Sequence, residues 1–241
     1  MDFSQILSFL IQILLSVPSV LLALSCHEAA HGYMAYRLGD PTAKAVGRLT
    51  INPLRHLDPI GAVCLLLFRI GWARPVPVNP RNFKKPRLGM ALVAIAGPLT
   101  NLLLGILSLL ISVLIYTLIY DGVVGNTYLS QVLAWIAYFF GIAFPINVGL
   151  AVFNLLPIPP LDGSRIATLL LPPRLYFKVM RYERQIALGM MLLLLVDSYV
   201  GPHLFRRLLN LVLLGICELL FHMIPIFEWG IEFFIYLHFY S

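Results

Sequence analysis

Charge is scarce in this chain. Asp, Glu, Lys and Arg make up only 12% of its 241 residues, against 60% hydrophobic, where soluble domains carry roughly 25% charged residues. That deficit excludes an ordinary soluble globule. Several apolar runs approach the roughly 20 residues needed to cross a bilayer, so an integral, multi-pass membrane protein embedded in lipid is expected. Cysteine is sparse as well: Cys26, Cys64 and Cys217 are scattered through apolar segments, which excludes a disulfide framework and reads as small buried hydrophobes. The N-terminus has no basic stretch of the kind that opens a secretory signal peptide. Leu24-Ser25-Cys26 has a faint lipoprotein-cleavage look, but cutting there would leave His27 at a new N-terminus, so the first segment is read as a permanent span. No internal repeat or low-complexity linker appears, and no stretch is left over for a separate soluble domain.

Positive charge is unevenly placed. The formal net charge is +6, and ten of the 17 Lys and Arg fall between Met34 and Met90, with Arg165, Arg174, Lys178, Arg181 and Arg184 forming a second cluster. Short connections rich in Lys and Arg face the cytoplasm. The clusters therefore orient the chain in the cell membrane, and no nucleic-acid partner is expected.

The first apolar segment, Phe3 to Leu38, is too long for one untilted span at 1.5 Å per residue. Pro18 offers a kink or break near Val17, which leaves one tilted helix or two helices open. Gly39-Asp40-Pro41 ends the segment. From Thr42 to Pro80 the character changes. Val46 to Pro53 and Ala73 to Pro80 read as short extended pieces, demoted to edge or irregular strands by their prolines. Between them, Gly61 to Ile70 is apolar but too short to span. A small membrane-associated β element or re-entrant segment on the cytoplasmic side is expected here. Leu88 to Tyr120 is the second long helix, the loop Asp121 to Gln131 has no basic residue and suits the outer face, and Val132 to Leu155 returns to the proline cluster Pro157, Pro159 and Pro160. Gly163 to Leu171 reads as a short helix. Ile186 to Val200, Leu208 to Met223 and Ile226 to Tyr240 are further apolar segments, and Arg206 and Arg207 between the first two conflict with the charge rule if Ile186 to Val200 crosses fully.

The chemistry begins at His27-Glu28-Ala29-Ala30-His31, at the end of the first apolar run. On a helix, histidines at i and i+4 share one face and can bind one metal ion, with the glutamate beside them as general base. Ionisable residues inside a bilayer are costly and mark function. The alternative reading, two histidines hydrogen-bonded between helices, would win for a lone histidine but not for HExxH in this position. Zinc is the expected metal, because hydrolysis needs no redox change and His/carboxylate sets with an open position suit it. A third ligand is required. Asp162 is the best candidate, because it follows a helix breaker at the same membrane face as HEAAH, although an Asp before Gly-Ser-Arg also suits a helix cap. His56, with Asp58 behind it, is the runner-up, while His203, His222 and His238 read as interfacial. Ala94, Gly97, Asn101 and Gly105 form a small-residue stripe suited to close helix packing, a role for Asn101 weighed evenly against a direct one in catalysis.

HEAAH together with Asn154-Leu-Leu-Pro-Ile-Pro-Pro-Leu-Asp162-Gly163 resembles the two signatures of the site-2 protease family of intramembrane zinc metalloproteases. Ala96-Gly97-Pro98-Leu99-Thr100-Asn101 resembles that family's middle-helix motif, and Trp72 to Asn79 its loop between the first two core helices. The likeness covers about Ser19 to Leu171. It implies that His27, His31 and Asp162 ligate one zinc, that Glu28 is the general base, and that Asn154 holds the scissile peptide, with Asn101 a further candidate. It also implies membrane-spanning protein substrates. The PDZ or CBS domains that many members carry find no room here.

The expected fold is an all-α polytopic membrane protein. Residues 1–185 form a three-helix metalloprotease core with the small β element, and residues 186–241 add C-terminal membrane helices; the sequence sets no oligomeric state. The rival readings are weaker. A di-iron membrane oxygenase needs several histidine boxes, and this chain has one box and six histidines. A zinc or proton transporter would line more spans with polar ligands, and the helix interiors here are nearly pure Leu, Ile and Val.

Overall fold

The apolar run that starts at Phe3 forms one helix, α1 (Phe3–Arg37), with Pro18 inside it. Of the two alternatives at Pro18, the continuous helix is the one adopted. Proline removes a single backbone donor, and in apolar surroundings an unbroken helix still satisfies the rest of the backbone internally. Arg37 lies in the last turn, where a cation complements the helix dipole. Gly39 then takes φ +102°, a left-handed geometry that glycine adopts freely and that stops the helix. The structure is a computed structural model and describes residues 3–68, 72–125, 128–167, 169, 172, 178, 181–199 and 203–223.

The stretch from Thr42 to Pro80 corrects the expectation of a small β element. Among the described residues it holds no strand, only an isolated antiparallel bridge between Leu57 and Ala73. The pieces expected to be extended are irregular over 46–52 and 74–79, and short helices lie beside them: α2 (Thr42–Ala45), α3 (Pro53–His56) and α4 (Pro59–Phe68). The reason is local. Asn52 accepts a hydrogen bond from Leu54 N with Pro53 in the first helical turn, and Asp58 Oδ1 accepts from Gly61 N at 2.9 Å; these capping interactions start helices. The prolines meanwhile remove the donors a ladder would need.

Beyond a 3₁₀ turn at Pro80–Asn82 come α5 (Pro86–Tyr120) and α6 (Tyr128–Leu155). Together with Ile13–Arg37 of α1, these are the three described helices long and apolar enough to cross a membrane. The short α7 (Asp162–Ala167) begins at Asp162, and α8 (Glu183–Tyr199) and α9 (Leu204–Met223) follow. The expected segment from Ile226 to Tyr240, with His238, lies outside the described residues.

The chain divides into two compact units: Met1–Val20 with Leu103–Gly149 and His203–Ser241, and Leu21–Leu102 with Leu150–Pro202. In the first, Ser112 Oγ donates to Ala137 O at 2.8 Å. A Cβ on Gly105 would lie 2.9 Å from Val148 Cγ2, the close approach expected of a small-residue stripe. The second unit holds every residue of the HEAAH and LDG motifs. There the end of α1 is pinned by Asp40, whose fully buried carboxylate accepts from Thr42 N at 3.1 Å, Thr42 Oγ1 at 2.5 Å, Asn79 N at 2.7 Å and Asn82 Nδ2 at 2.6 Å. Burial pushes the Asp40 carboxyl up, but these donors outweigh it and hold it below its ordinary value. Ala35, Phe83 and Val93 form a buried cluster beside this hub.

Candidate metal centre

His27 and His31 lie one turn apart on α1 and are both buried. Across from them stands Asp162, the first residue of α7. The Asp162 Oδ2 atom is 3.1 Å from His27 Nε2 and 3.2 Å from His31 Nε2, and the two Nε2 atoms are 3.0 Å apart. The structure thus brings together three ligand-type atoms from positions up to 135 residues apart. His56, the runner-up ligand, is not among them. Its buried ring hydrogen-bonds Thr50 O at 2.7 Å through Nε2, and its carbonyl accepts from Arg74 N at 2.7 Å.

The outward ring nitrogens test whether a cation fits. His31 Nδ1 donates to Val93 O at 2.7 Å, and His27 Nδ1 donates to Asn101 Oδ1 at 3.0 Å. A carbonyl oxygen can only accept, so both Nδ1 atoms carry hydrogen and both Nε2 lone pairs point inward in the neutral rings. Two lone pairs and a carboxylate oxygen at these separations coexist only around protons or a metal cation. Two imidazoles and a carboxylate are a catalytic zinc donor set. The residues fit the metal.

Close helix approach makes this geometry possible. A Cβ on Gly97 would sit 2.5 Å from His31 Cε1 and 2.6 Å from His27 Cε1, so the α5 backbone passes directly against both rings. Val93, Gly97 and Asn101 follow one another at four-residue steps along that face, matching the four-residue step from His31 back to His27.

Glu28 turns to the other side. Its Oε2 accepts from Val76 N at 2.8 Å, in the Trp72 to Asn79 stretch. Glu28, His27, His31, Asp162 and Asn154 all line one cavity of about 570 Å³. Asn154 Nδ2 also donates back to Leu150 O at 2.9 Å. Asn101, a candidate substrate contact from sequence, is placed differently: it is fully buried, and it is bonded to His27 and, through Nδ2, to Ala23 O at 3.5 Å. Sequence reasoning did not anticipate Val76 and Val93. Both act through backbone atoms, which leave no side-chain signature; the only available pointer was the Trp72 to Asn79 motif.

Membrane-length helices around a two-histidine, one-carboxylate set with an adjacent glutamate define a membrane-embedded metallohydrolase. The model of peptidase family M50 matches residues 16–196, and the chain belongs to that family. It is 44% identical over 167 residues to "Putative zinc metalloprotease YwhC" of Bacillus subtilis, covering 69% of this chain and 74% of that protein. It is 30% identical over 164 residues to "Putative zinc metalloprotease Rip2" of Mycolicibacterium smegmatis, covering 65% of this chain and 57% of that one. The Rip2 protein of Mycobacterium tuberculosis is likewise 30% identical, over 147 residues and 52% of its length, so the chain spans just over half of these mycobacterial relatives. No solved structure matches it significantly. The chain is a zinc metalloprotease with membrane-spanning helices.

Proposed function

We propose that this protein is an intramembrane protease that holds one zinc through His27, His31 and Asp162 and hydrolyses peptide bonds of membrane-spanning proteins near the cytoplasmic side. The observation that carries the reading is the meeting of these three ligand atoms at 3.0, 3.1 and 3.2 Å on the wall of a cavity that Glu28 and Asn154 share. A zinc ion held there supplies Lewis acidity for amide hydrolysis.

The chain's own residues account for the remaining requirements. Glu28 is the general base. With Oε2 held by the Val76 N–H, its second oxygen is available to take the proton of the attacking water. The Asn154 amide, bonded to Leu150 O through one of its two N–H groups, keeps a second donor for the substrate carbonyl, in the manner of an oxyanion-hole side chain. An intact substrate helix shields its carbonyls, so it must unwind locally. The basic clusters support placing the site toward the cytoplasm of the cell membrane.

The deciding assay uses purified protein in detergent with a single-span substrate. Cleavage is expected to vanish with a strong chelator and with Glu28→Gln, while the Gln variant still binds about one zinc. Full activity of Glu28→Gln would overturn the mechanism.

A further inference from the structure

We infer that Asn101 is a positioning residue of the metal centre: its side-chain carbonyl fixes the tautomer and ring orientation of His27, and so sets how tightly the centre holds zinc. This rests on the reading of His27, His31 and Asp162 as the zinc ligands.

The geometry is specific. Asn101 is fully buried in the middle of α5, 74 positions from His27 in sequence, and its Oδ1 accepts from His27 Nδ1 at 3.0 Å. The amide's orientation is set by its other end, because Nδ2 faces Ala23 O at 3.5 Å and a carbonyl takes only a donor there. With Oδ1 toward the ring, His27 must carry its proton on Nδ1 and present a bare Nε2 to the Asp162 side. His31 receives the same treatment from a backbone group, Val93 O at 2.7 Å. Both ring planes are thereby fixed, and they stand at 89° to each other with centroids 4.5 Å apart. A metal-bound histidine commonly donates its second N–H to a carboxylate, a backbone carbonyl or water. A side-chain amide satisfies the same need with no charge.

Asn101 also belongs to the small-residue stripe of α5, so packing is the competing role, and the test separates the two. Zinc affinity is measured by competition with a metal-sensing chelator for the full-length protein in detergent, beside the visible spectrum of the cobalt-loaded protein. Asn101→Leu keeps the volume and removes the acceptor. It is expected to weaken zinc binding by about 10- to 100-fold and to alter the cobalt spectrum. Asn101→Asp keeps an acceptor oxygen in either protonation state and is expected to bind zinc within about threefold of the unmodified protein. If Asn101→Leu does not fold, Asn101→Ala takes its place with the same thresholds. Unchanged zinc affinity in the acceptor-free variant overturns the assignment, and so does equal weakening in the Leu and Asp variants. Failure of the underlying zinc reading looks different: the unmodified protein binds no zinc, or His27→Ala retains full affinity.

Discussion

The backbone N–H of Val76 donates to Glu28 Oε2 at 2.8 Å, joining an irregular stretch to the carboxylate one residue after His27. Val76 sits between Pro75 and Pro77, neither of which can donate, so it is the residue of that trio able to orient the Glu28 carboxylate. A positioned general base contributes about 10²- to 10⁴-fold to rate, and if Glu28 fills that proposed role, part of the gain rests on this bond. Val76→Pro removes the donor while keeping an extended backbone. It is expected to lower kcat by at least about tenfold with KM and zinc content little changed. Val76→Ala retains the N–H and is expected to stay within about threefold of the unmodified protein. Steady-state cleavage of a single-span substrate checks both.

Gly97 offers a sharper test of how the centre is packed. A methyl group there would lie 2.5 Å from His31 Cε1 and 2.6 Å from His27 Cε1, closer than real carbon contacts allow. Neither ring can yield without abandoning Val93 O or Asn101 Oδ1. Gly97→Ala is therefore expected to destabilise by about 1–3 kcal/mol and to drop zinc content well below one per chain. Gly105→Ala, whose Cβ would meet Val148 of its own unit at 2.9 Å, is expected to lower the melting midpoint with zinc content intact. Metal analysis alongside thermal unfolding separates the two outcomes.

These two cases show where sequence was informative. HEAAH and Leu161-Asp162-Gly163 are legible because metal ligation needs particular side chains at particular spacings, and the structure brings them to one point. The long helices are legible because a bilayer demands length and apolarity. Pro18 was ambiguous, since proline in lipid removes one donor without forcing a break. The stretch from Thr42 to Pro80 is less legible: pieces bounded by turn residues suit short strands as well as irregular chain, and the caps at Asn52 and Asp58 that start α3 and α4 are local. Val76 and Val93 were invisible, since a backbone N–H or carbonyl carries no sequence mark. Asn101 was visible as a member of a small-residue stripe and of the Ala96–Asn101 motif, but not its partner, which lies 74 residues away.

Asp40 provides the pH prediction. Its carboxyl is held below the ordinary value of 3.8 by donors from Thr42, Asn79 and Asn82 acting against burial. A depressed folded-state value means the carboxylate stabilises the fold at all pH above the unfolded value, and that contribution fades as pH falls through the lower folded one. Asp40→Asn keeps the shape but loses the charge and turns an N–H₂ toward existing donors. It is expected to destabilise by about 1.5–3 kcal/mol, as for hydrogen bonds to a charged group. The gap between variant and unmodified protein should be constant from about pH 5 to pH 8 and narrow only below about pH 4. Denaturant unfolding in detergent across that range reads it, and a gap that opened or closed near neutrality would contradict the Asp40 account.

The Arg165–Glu183 pair tests the opposite expectation, that a visible contact contributes little. The guanidinium and carboxylate approach to 3.7 Å with each side chain 34% exposed, on the wall of the cavity that also holds Asp162. At that exposure an ion pair contributes about 0–1 kcal/mol and is screened by salt. Arg165 shares the short α7 with Asp162, so the pair could steady the ligand only by holding that helix to the start of α8, and a contact this weak holds it loosely. Glu183→Gln is accordingly expected to leave the melting midpoint and zinc affinity unchanged and cleavage within about twofold at physiological salt, with any difference gone at high salt. A large, salt-insensitive loss of cleavage at constant zinc affinity would place Glu183 on the substrate's path through the cavity instead.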